Sequence, residues 1–330
     1  MNTIQDIRKP VEEEFSRFNT LFEQTLHDDN PLLGKALDYI LMRRGKQLRP
    51  ILVLLAAKIC RGVSEKTLQA AVAMELLHTA SLVHDDVVDS SSTRRGQEAL
   101  HVLIGNKAAV LVGDFMLSRV VGVVAGMKNT HILNIVSTLG TTLASGELLQ
   151  LHADDSMWIT EERYYDIISR KTAHLFSSCM EAGAESAGAG MRHTTALKQF
   201  GWHLGMCFQL KDDVLDYSDS EELGKPTMND IRDGKVTLPL LTALKRAPKD
   251  EAESMRRLAE DLAAKAGHMD IYEAEQMLKS FVMRYEGVRY AYRQMQLHKE
   301  KALQCLSVFR DSAVKNSLTS LLDYAINRLY

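Results

Sequence analysis

Apolar residues recur at spacings of three and four along nearly the whole chain, which is the period of an α-helix. Leu76, Leu77, Ala80, Val83 and Val87 form one such stripe. No alternating pattern typical of β-strands persists, and several apolar stretches suit helices that are buried on all sides. The pattern therefore predicts an all-α fold with many helices.

Turn-forming residues and short polar stretches divide this pattern. The predicted breaks lie at residues 29–31, 44–45, 61–62, 105–106, 128–129, 154–158, 188–190, 218–234 and 247–248. The break that follows Asp216 and extends to Lys235 is long, and a loop of that length in a compact domain is usually functional or disordered. Because no change of composition marks a boundary, we predict a single domain of residues 1–330.

Composition narrows the class of protein. The chain has 330 residues, of which 45% are hydrophobic and 25% charged, as in ordinary soluble globular proteins. A net charge of −3 without a basic, aromatic-rich stripe argues against nucleic acid. Four widely spaced cysteines suit reduced thiols in the cytoplasm. The N-terminus lacks an apolar signal region, and the apolar stretch Phe115–Met127 is too short to span a bilayer, so we expect no transmembrane segment.

Two acidic clusters carry the first chemical signal: residues 85–89 (DDVVD) and residues 212–216 (DDVLD). Each has carboxylates at positions i, i+1 and i+4, and positions i and i+4 share one face of a helix. Like charges at that spacing cost about 0.2–0.5 kcal/mol per exposed pair. A solvated helix face would explain one cluster, but two matching clusters among apolar residues favour a bound cation. Carboxylates suit Mg²⁺, which also takes ligands from water and substrate phosphates.

The face of the first acidic helix continues below the carboxylates. On a helical wheel, Asp89, Ser81, His78 and Met74 lie within about 40° of Asp85. A buried structural histidine is the simpler interpretation of His78, but its place below paired carboxylates favours a role in binding.

Basic and amide side chains supply possible diphosphate contacts. Arg94 and Arg95 follow the first cluster, and Lys46 and Arg49 precede a predicted helix start, a position suited to anions. Further donors are Lys171, Thr172, Gln209, Lys225 and Lys235. Carboxylates for Mg²⁺, cations for a diphosphate and an apolar interior suit a reaction in which diphosphate leaves.

Together these motifs resemble the polyprenyl synthetase family of trans-prenyltransferases, and the resemblance runs almost end to end. The segments that carry it are GKxxRP at 45–50, LVHDDVVD at 82–89, RRG at 94–96, GD at 113–114, GExxQ at 146–150, KTA at 171–173, QLKDDVLD at 209–216 and GKVTLP at 234–239. The resemblance implies a helical bundle of the isoprenoid-synthase type around a central cavity. It also implies a homodimer.

The resemblance further implies the reaction and its residues. Isopentenyl diphosphate would be condensed with an allylic diphosphate, farnesyl or geranyl diphosphate. The implied catalytic residues are Asp85, Asp89, Asp212 and Lys171, and the implied Mg²⁺ ligands are Asp85, Asp89, Asp212 and Asp216. The allylic diphosphate would be bound by Arg94, Lys171, Gln209 and Lys235, with Thr172 and Lys225 as further substrate-binding residues. The implied site for isopentenyl diphosphate comprises Lys46, Arg49, His78 and Arg95.

Product length is predicted from residues before the first cluster. Short-chain members of the family tend to have bulky aromatics where this chain has Ala80 and Ser81, five and four residues before Asp85. With Leu77 and Met74 below, the small residues predict an open tunnel and a long product of the octaprenyl class for quinone side chains. Small residues that only permit close helix packing are the competing interpretation.

Three other functions are weighed against this one. A short-chain farnesyl or geranylgeranyl diphosphate synthase is the main alternative. A class I terpene cyclase usually carries a different second metal motif, and a non-catalytic partner subunit typically loses an acidic cluster. Two positions depart from the family pattern: Arg44 stands where a second glycine often precedes the lysine, and Met228 stands where the loop often has glycine.

Overall fold

The structure, a computed structural model, describes residues 3–94, 96–154, 157–218, 227–264 and 270–328. Its first helices are α1 (Ile4–Arg8), α2 (Glu12–Leu26), α3 (Pro31–Met42), α4 (Leu48–Cys60), α5 (Glu65–Val88), α6 (Leu100–Ile104), α7 (Asn106–Gly126) and α8 (Thr130–Asp154). They are followed by α9 (Glu161–Ile168), α10 (His174–Ser186), α11 (Met191–Leu215), α12 (Asn229–Arg232), α13 (Leu238–Arg246), α14 (Lys249–Ala263), α15 (Ile271–Arg284), α16 (Gly287–Leu306) and α17 (Ala313–Asn327).

Non-α elements are few in these ranges. A 3₁₀ turn covers Lys9–Val11, a π-helical turn covers Ser169–Ala173, and β1 (Thr93–Arg94) pairs antiparallel with β2 (Gln97–Glu98). The predicted all-α class is confirmed. The hairpin was not predicted because strands of two residues are too short to show alternation.

The helices are grouped into two compact units. Unit 1 comprises Met1–Thr141, Phe176–Gly201 and Leu306–Leu321, and unit 2 comprises Thr142–Leu175, Trp202–Cys305 and Leu322–Tyr330. No composition change in the sequence marks these boundaries. The single domain of residues 1–330 stays a prediction.

The core of unit 1 is built on α4 and α5. Residues 51–57 of α4 and 70–74 of α5 are buried without interruption, so both helices are covered on all sides. Phe15, Phe18 and Phe22 of α2 form a stripe at helical spacing that is also buried. Ser64 caps α5 because its hydroxyl accepts a hydrogen bond from the Thr67 amide. The capped, buried α5 is the element that ends in the first acidic cluster.

Unit 2 has its own apolar core. It includes Ile231 of α12, Leu240 of α13, Ala259 of α14 and Phe281 of α15, all nearly or fully buried. Amphipathic helices with one buried face surround this core. The short helix α12 is thereby held against a packed interior rather than left in solvent.

Two helical stretches are exposed and apolar. By length and composition alone, Asn106–Gly126 and Thr130–Leu151 could cross a membrane, with 33% and 22% of their most apolar windows buried. Such helices are weak evidence, since the core helices of soluble proteins pass the same test. The first of them is longer than the apolar stretch Phe115–Met127 weighed in the sequence. The expected absence of a membrane span stays a prediction.

A histidine pair in unit 2 predicts a pH-dependent loss of stability. The Nδ1 atoms of His203 on α11 and His298 on α16 lie 3.0 Å apart. Burial, with the charge of nearby Lys301, lowers the pKa of each to about 4. The unfolded chain, with histidine pKa values near 6.5, therefore binds protons between about pH 6.5 and 4 that the folded chain does not, and the free energy of unfolding falls as pH falls through that window.

Urea unfolding at pH 7 and pH 5 measures this effect. Because the two imidazoles are partly exposed, the effect is smaller than for fully buried groups. Between pH 7 and pH 5, we expect the free energy of unfolding of His298→Gln to fall by about 1–2 kcal/mol less than that of the parent protein. The exposed His27→Gln serves as the control and should follow the parent. Equal losses in the parent and His298→Gln would contradict the assignment of neutral, half-buried imidazoles.

Candidate active site

The first acidic cluster lies at the end of α5. Asp85 is half-buried in the last turn, Asp86 is buried, and Asp89 is exposed directly after the helix. The Asp89 amide donates to the Asp85 carbonyl at 2.8 Å, so the two residues follow one another by a helical turn. The predicted helical spacing of these carboxylates is therefore confirmed.

His84 fixes this last turn against α7. Its Nε2 lies 3.1 Å from the Val110 carbonyl oxygen and 3.5 Å from Asp114 Oδ1. The imidazole lies over Gly113, where an added Cβ would come within 2.1 Å of Nε2. Glycine is thus required at position 113 for the ring to approach. The sequence contained this GD pair, but its contact with His84 depends on the packing of two helices.

Asp86 and Arg94 form an ion pair. Arg94 Nε donates to Asp86 Oδ1 at 2.6 Å from the β1–β2 hairpin. Burial raises the pKa of Asp86, while the Arg94 guanidinium opposes that rise. Asp86 therefore holds Arg94 beside the acidic cluster. Arg95 lies outside the described residues.

A cavity of about 350 Å³ lies beside these residues in unit 1. Its charged and polar lining includes Arg43, Arg44, Glu75, His78, Asp86 and Arg94. Of the residues predicted to bind isopentenyl diphosphate, only His78 is among the described residues that line it. Lys46 is exposed before α4, and the Arg49 guanidinium lies 5.4 Å from the Phe176 ring centroid.

Arg44 is held by its own contacts. It donates to the Leu41 carbonyl at 3.0 Å and pairs with Glu23 at 2.7 Å. The residue with a left-handed backbone in this turn is Gln47, with φ 47°. Arginine is therefore accommodated at position 44, the first of the two positions that depart from the expected family pattern.

The second acidic cluster ends α11 in unit 2, and its three aspartates have different surroundings. Burial raises the pKa of Asp213 to about 7, although the Tyr164 hydroxyl and Gln209 Nε2 both donate to its carboxylate. Asp212 has a side chain that is 43% exposed and lies 2.7 Å from Arg328. Asp213 thus orients its neighbours, while Asp212 is the more accessible carboxylate.

Asp216 ties down the start of α12. Its two carboxylate oxygens accept the backbone amides of Asn229 at 3.0 Å and Asp230 at 3.1 Å. Burial raises the pKa of Asp216, and these two hydrogen bonds oppose the rise. Its predicted role as a metal ligand stays a prediction, and the structure adds a second role that sequence reasoning missed.

Met228 adopts the backbone conformation expected for the glycine that the family pattern predicts at this position. Its backbone is left-handed, with φ 61°, as glycine readily allows. For another residue that conformation costs about 1–2 kcal/mol. The Met228 side chain is fully buried in the core of unit 2, and burying it contributes about 1.5–3 kcal/mol. Apolar burial therefore offsets the strain, and the turn keeps the glycine-like backbone.

The π-helical turn brings the other predicted donors together. Lys171 Nζ lies 2.6 Å from Glu147 Oε2 and donates to Gln150 Oε1 at 2.8 Å. Thr172 Oγ1 donates to Gln209 Oε1 at 2.8 Å. Such turns often occur at functional sites. Lys171 and Thr172, which are adjacent in this turn, thus join Gln150 and Gln209 from distant segments in one polar network.

Gly146 permits this arrangement. A Cβ at position 146 would lie 2.8 Å from Arg170 Cβ and 3.2 Å from Lys171 Cγ. The absent side chain lets the π-helical turn lie directly on α8. The GExxQ segment thus supplies both the space for Lys171 and the acceptors that orient it.

A cavity of about 100 Å³ adjoins this network within unit 2. Its polar lining includes Gln150, Tyr164, Gln209, Asp213, Asp230 and Lys235. Lys235 thereby shares this cavity with Gln209, a second predicted diphosphate contact. Tyr164 and Asp230 were missed in the sequence because each joins the site through a distant contact. Lys225 lies outside the described residues.

Comparison with known proteins identifies the family. The family model described as polyprenyl synthetase matches residues 30–275. The chain belongs to the polyprenyl synthetase family. The predicted family and enzyme class are confirmed.

Relatives of the polyprenyl synthetase family match nearly end to end. The octaprenyl diphosphate synthase of Haemophilus influenzae is 34% identical, over 99% of this chain and 98% of its own. A Caulobacter crescentus polyprenyl synthase, solved with calcium and isoprenyl diphosphate, is 31% identical with a TM-score of 0.90, over 99% of this chain and 98% of its own. A geranylgeranyl pyrophosphate synthase of Bacteroides thetaiotaomicron is 38% identical with a TM-score of 0.83, over 98% of this chain and 99% of its own.

The carboxylates of this polyprenyl synthetase suit a hard divalent cation. Asp85, Asp89 and Asp212 are at least partly accessible and offer oxygen ligands. Within the described ranges, no three His, Cys, Asp or Glu side chains form a cage for a metal.

The predicted chain-length residues occupy α5. Met74, Leu77 and Ala80 are buried, and Ser81 is half-buried with its hydroxyl donating to the His78 carbonyl at 2.9 Å. None of these four described residues lines the cavity of about 350 Å³. The open tunnel stays a prediction, and the exposure of Ser81 makes it the residue best suited to test it.

Proposed function

We propose that the chain catalyses the Mg²⁺-dependent head-to-tail condensation of isopentenyl diphosphate with an allylic diphosphate. The product would be an all-trans-polyprenyl diphosphate of the octaprenyl class. The observation that carries the proposal is the acidic end of α11 beside the network of Lys171, Thr172 and Gln209. A second acidic cluster ends α5, and the chain belongs to the polyprenyl synthetase family, so each cluster supports the proposal by itself.

Each residue has a role in the proposed reaction. Asp85, Asp89 and Asp212, with Asp216, would hold Mg²⁺, which when bound offsets the negative charge that develops on the departing diphosphate. The allylic diphosphate would be bound by Arg94, Lys171, Thr172, Gln209, Lys225 and Lys235. Isopentenyl diphosphate would be bound by Lys46, Arg49, His78 and Arg95.

The proposed reaction depends on stabilising the charges that form when the allylic diphosphate ionises. The allylic C–O bond breaks and diphosphate leaves with the electron pair. The isopentenyl double bond attacks the allylic cation to form a C–C bond, and the resulting cation loses a proton to the released diphosphate. Oriented cations and amides stabilise the leaving diphosphate without reorganising, which is the main contribution a protein makes to such a step. Exclusion of water protects the cation from being quenched. Lys171 is well suited to stabilise the leaving diphosphate because Glu147 and Gln150 already fix its position.

The long product is the first choice for two reasons. Octaprenyl diphosphate synthase is the activity named for a relative matched over nearly its full length. The small side chains of Ala80 and Ser81, shortly before Asp85, predict an open tunnel for a long chain. The product would serve quinone side chains and pass from the cytoplasm to a membrane. A short-chain synthase is the second candidate, because a solved geranylgeranyl pyrophosphate synthase is 38% identical.

One incubation tests these alternatives. Pure protein is mixed with isopentenyl diphosphate, farnesyl diphosphate and Mg²⁺, and the dephosphorylated products are separated by chromatography. A ladder that ends near eight isoprene units supports the proposal, and one that stops at four supports the short-chain synthase. A cyclic hydrocarbon would indicate a cyclase, and the absence of turnover would indicate a partner subunit.

We also propose a homodimer formed through the apolar face of unit 1. Exposed apolar side chains lie on three consecutive helices of this unit, α6, α7 and α8. They are Val102, Leu103, Val110, Leu111, Val121 and Leu133. A contiguous exposed apolar surface commonly marks a protein interface, and most soluble oligomers are symmetric dimers.

Leu111→Glu should disrupt this dimer. Leu111 is 66% exposed in the single chain, and an unpaired carboxylate buried at the interface would weaken association by about a hundredfold or more. Sedimentation velocity at micromolar protein should show a shift toward monomer. Met191→Glu, at a position 87% exposed at the start of α11, should sediment as the parent does. A dimeric Leu111→Glu protein would rule out this face.

A further inference from the structure

Arg328 is held by several groups in unit 2. Its Nη2 lies 2.7 Å from Asp212 Oδ1 and donates to the Phe208 carbonyl at 2.9 Å. Its Nε donates to the Ala325 carbonyl at 3.3 Å, and the guanidinium lies 3.7 Å from the Phe208 ring centroid. Only 9% of the side chain is exposed. The arginine just beyond α17 is thus fixed on the last two turns of α11.

This contact places a positive charge on a carboxylate of the second acidic cluster. Asp213 is buried among its hydrogen-bond donors and Asp216 accepts two backbone amides, which leaves Asp212 as the more accessible acid. A guanidinium at hydrogen-bond distance reduces the attraction of a carboxylate for any other cation, and partial burial limits screening by salt. Arg328 therefore acts on the aspartate that is best placed to accept a metal ion.

We propose that Arg328 is an internal counter-ion of Asp212 that competes with the divalent cation for this carboxylate and so sets the metal affinity of the second acidic cluster. The inference rests on the proposed function, in which Asp212 is a metal ligand. Two carbonyls and the Phe208 ring hold the guanidinium independently of Asp212. Arg328 can therefore remain bound to α11 while Asp212 turns to a metal ion.

The alternative is a purely structural ion pair that fastens α17 to α11. The two roles predict different changes in metal affinity when Arg328 is replaced. If Arg328 competes, its removal strengthens metal binding. If Arg328 only supports the fold, its removal leaves metal binding unchanged or weakens it.

The chain offers a matched control for the structural role. Lys299 on α16 lies 2.8 Å from Asp323 on α17, so this pair also fastens α17 but does not touch the acidic cluster. Arg328→Gln keeps a hydrogen-bond donor for the Phe208 carbonyl and removes the charge. Arg328→Lys keeps the charge. Lys299→Gln removes an ion pair of the same helix.

The test is calorimetric titration of each variant with Mn²⁺ in the absence of diphosphate. We expect Arg328→Gln to bind Mn²⁺ about tenfold more tightly than the parent, with Arg328→Lys and Lys299→Gln close to the parent. In an Asp212→Asn background, Arg328→Gln should have no further effect. Circular dichroism establishes that each variant is folded.

Unchanged or weaker Mn²⁺ binding in folded Arg328→Gln would overturn the inference, as would an equal gain in the Asp212→Asn background. The prenyl elongation assay separates this result from the fate of the proposed function. Elongation by the parent without an Arg328 effect on Mn²⁺ refutes the counter-ion alone. An Asp212-dependent gain in Mn²⁺ affinity without elongation supports the counter-ion and refutes the synthase.

Discussion

Asp85→Asn should lower kcat/KM for chain elongation by about a thousandfold. The substitution removes a negative charge and a metal ligand, yet keeps the size of the side chain in the last turn of α5. Loss of metal and electrostatic stabilisation at a departing diphosphate costs about 4 kcal/mol, which corresponds to about three orders of magnitude in rate. The helix should keep its position because His84 and Gly113 fix this turn on α7.

Incorporation of radiolabelled isopentenyl diphosphate at several Mg²⁺ concentrations measures the effect. Asp261→Asn removes an exposed carboxylate from α14 and should retain the parent rate. Higher Mg²⁺ should recover part of the activity of Asp85→Asn if the carboxylate binds the ion. A variant that keeps more than a tenth of the parent kcat/KM would exclude Asp85 as an essential metal ligand.

Local features of the site could be predicted from the sequence. The spacing of Asp85 and Asp89 predicted one helical face, and the two residues end α5 one turn apart. The KT pair and the QLKDD segment suggested a shared diphosphate site, and Thr172 donates to Gln209. These predictions depend on helical periodicity and on motifs a few residues long, so they need no knowledge of how distant helices pack.

Contacts between distant segments could not be predicted. Tyr164 donates to Asp213 from 49 residues away, and Arg328 reaches Asp212 from the far end of the chain. A tyrosine in an amphipathic helix, or an arginine just after one, has no local signal that separates a partner of an acidic cluster from a surface residue. The sequence also carries no signal for the π-helical turn at Ser169–Ala173, because its residues suit an ordinary α-helix.

The different surroundings of the aspartates in the two clusters could not be predicted from the sequence either. The sequence presents residues 85–89 and 212–216 as equivalent motifs. In the structure, Asp86 pairs with Arg94, whereas Asp213 is buried with its pKa raised to about 7 by desolvation. Burial and partners decide whether a carboxylate binds a cation or orients a neighbour, and both are products of the fold.

Ser81→Phe should shift the product ladder to short chains. Ser81 lies one turn before Asp85 on α5, about 6 Å along the axis, where a growing prenyl chain would have to pass. The site is half-buried, so a phenyl ring can be accommodated, whereas Ala80 is fully buried and Ala80→Phe would overpack the core at about 1–3 kcal/mol or more. The single substitution at Ser81 therefore tests the open tunnel without the loss of stability that the Ala80→Phe/Ser81→Phe double variant carries.

Chromatography of dephosphorylated products should show that Ser81→Phe stops at about four isoprene units or fewer while the parent continues toward eight. Consumption of isopentenyl diphosphate should remain measurable, because the ring lies below Asp85 rather than beside it. Ser16→Phe, at an exposed position on α2, provides a matched insertion of the same ring and should leave the ladder unchanged. An identical ladder from a folded Ser81→Phe protein would mean that the small residues serve close packing of α5 and that the chain grows along another path.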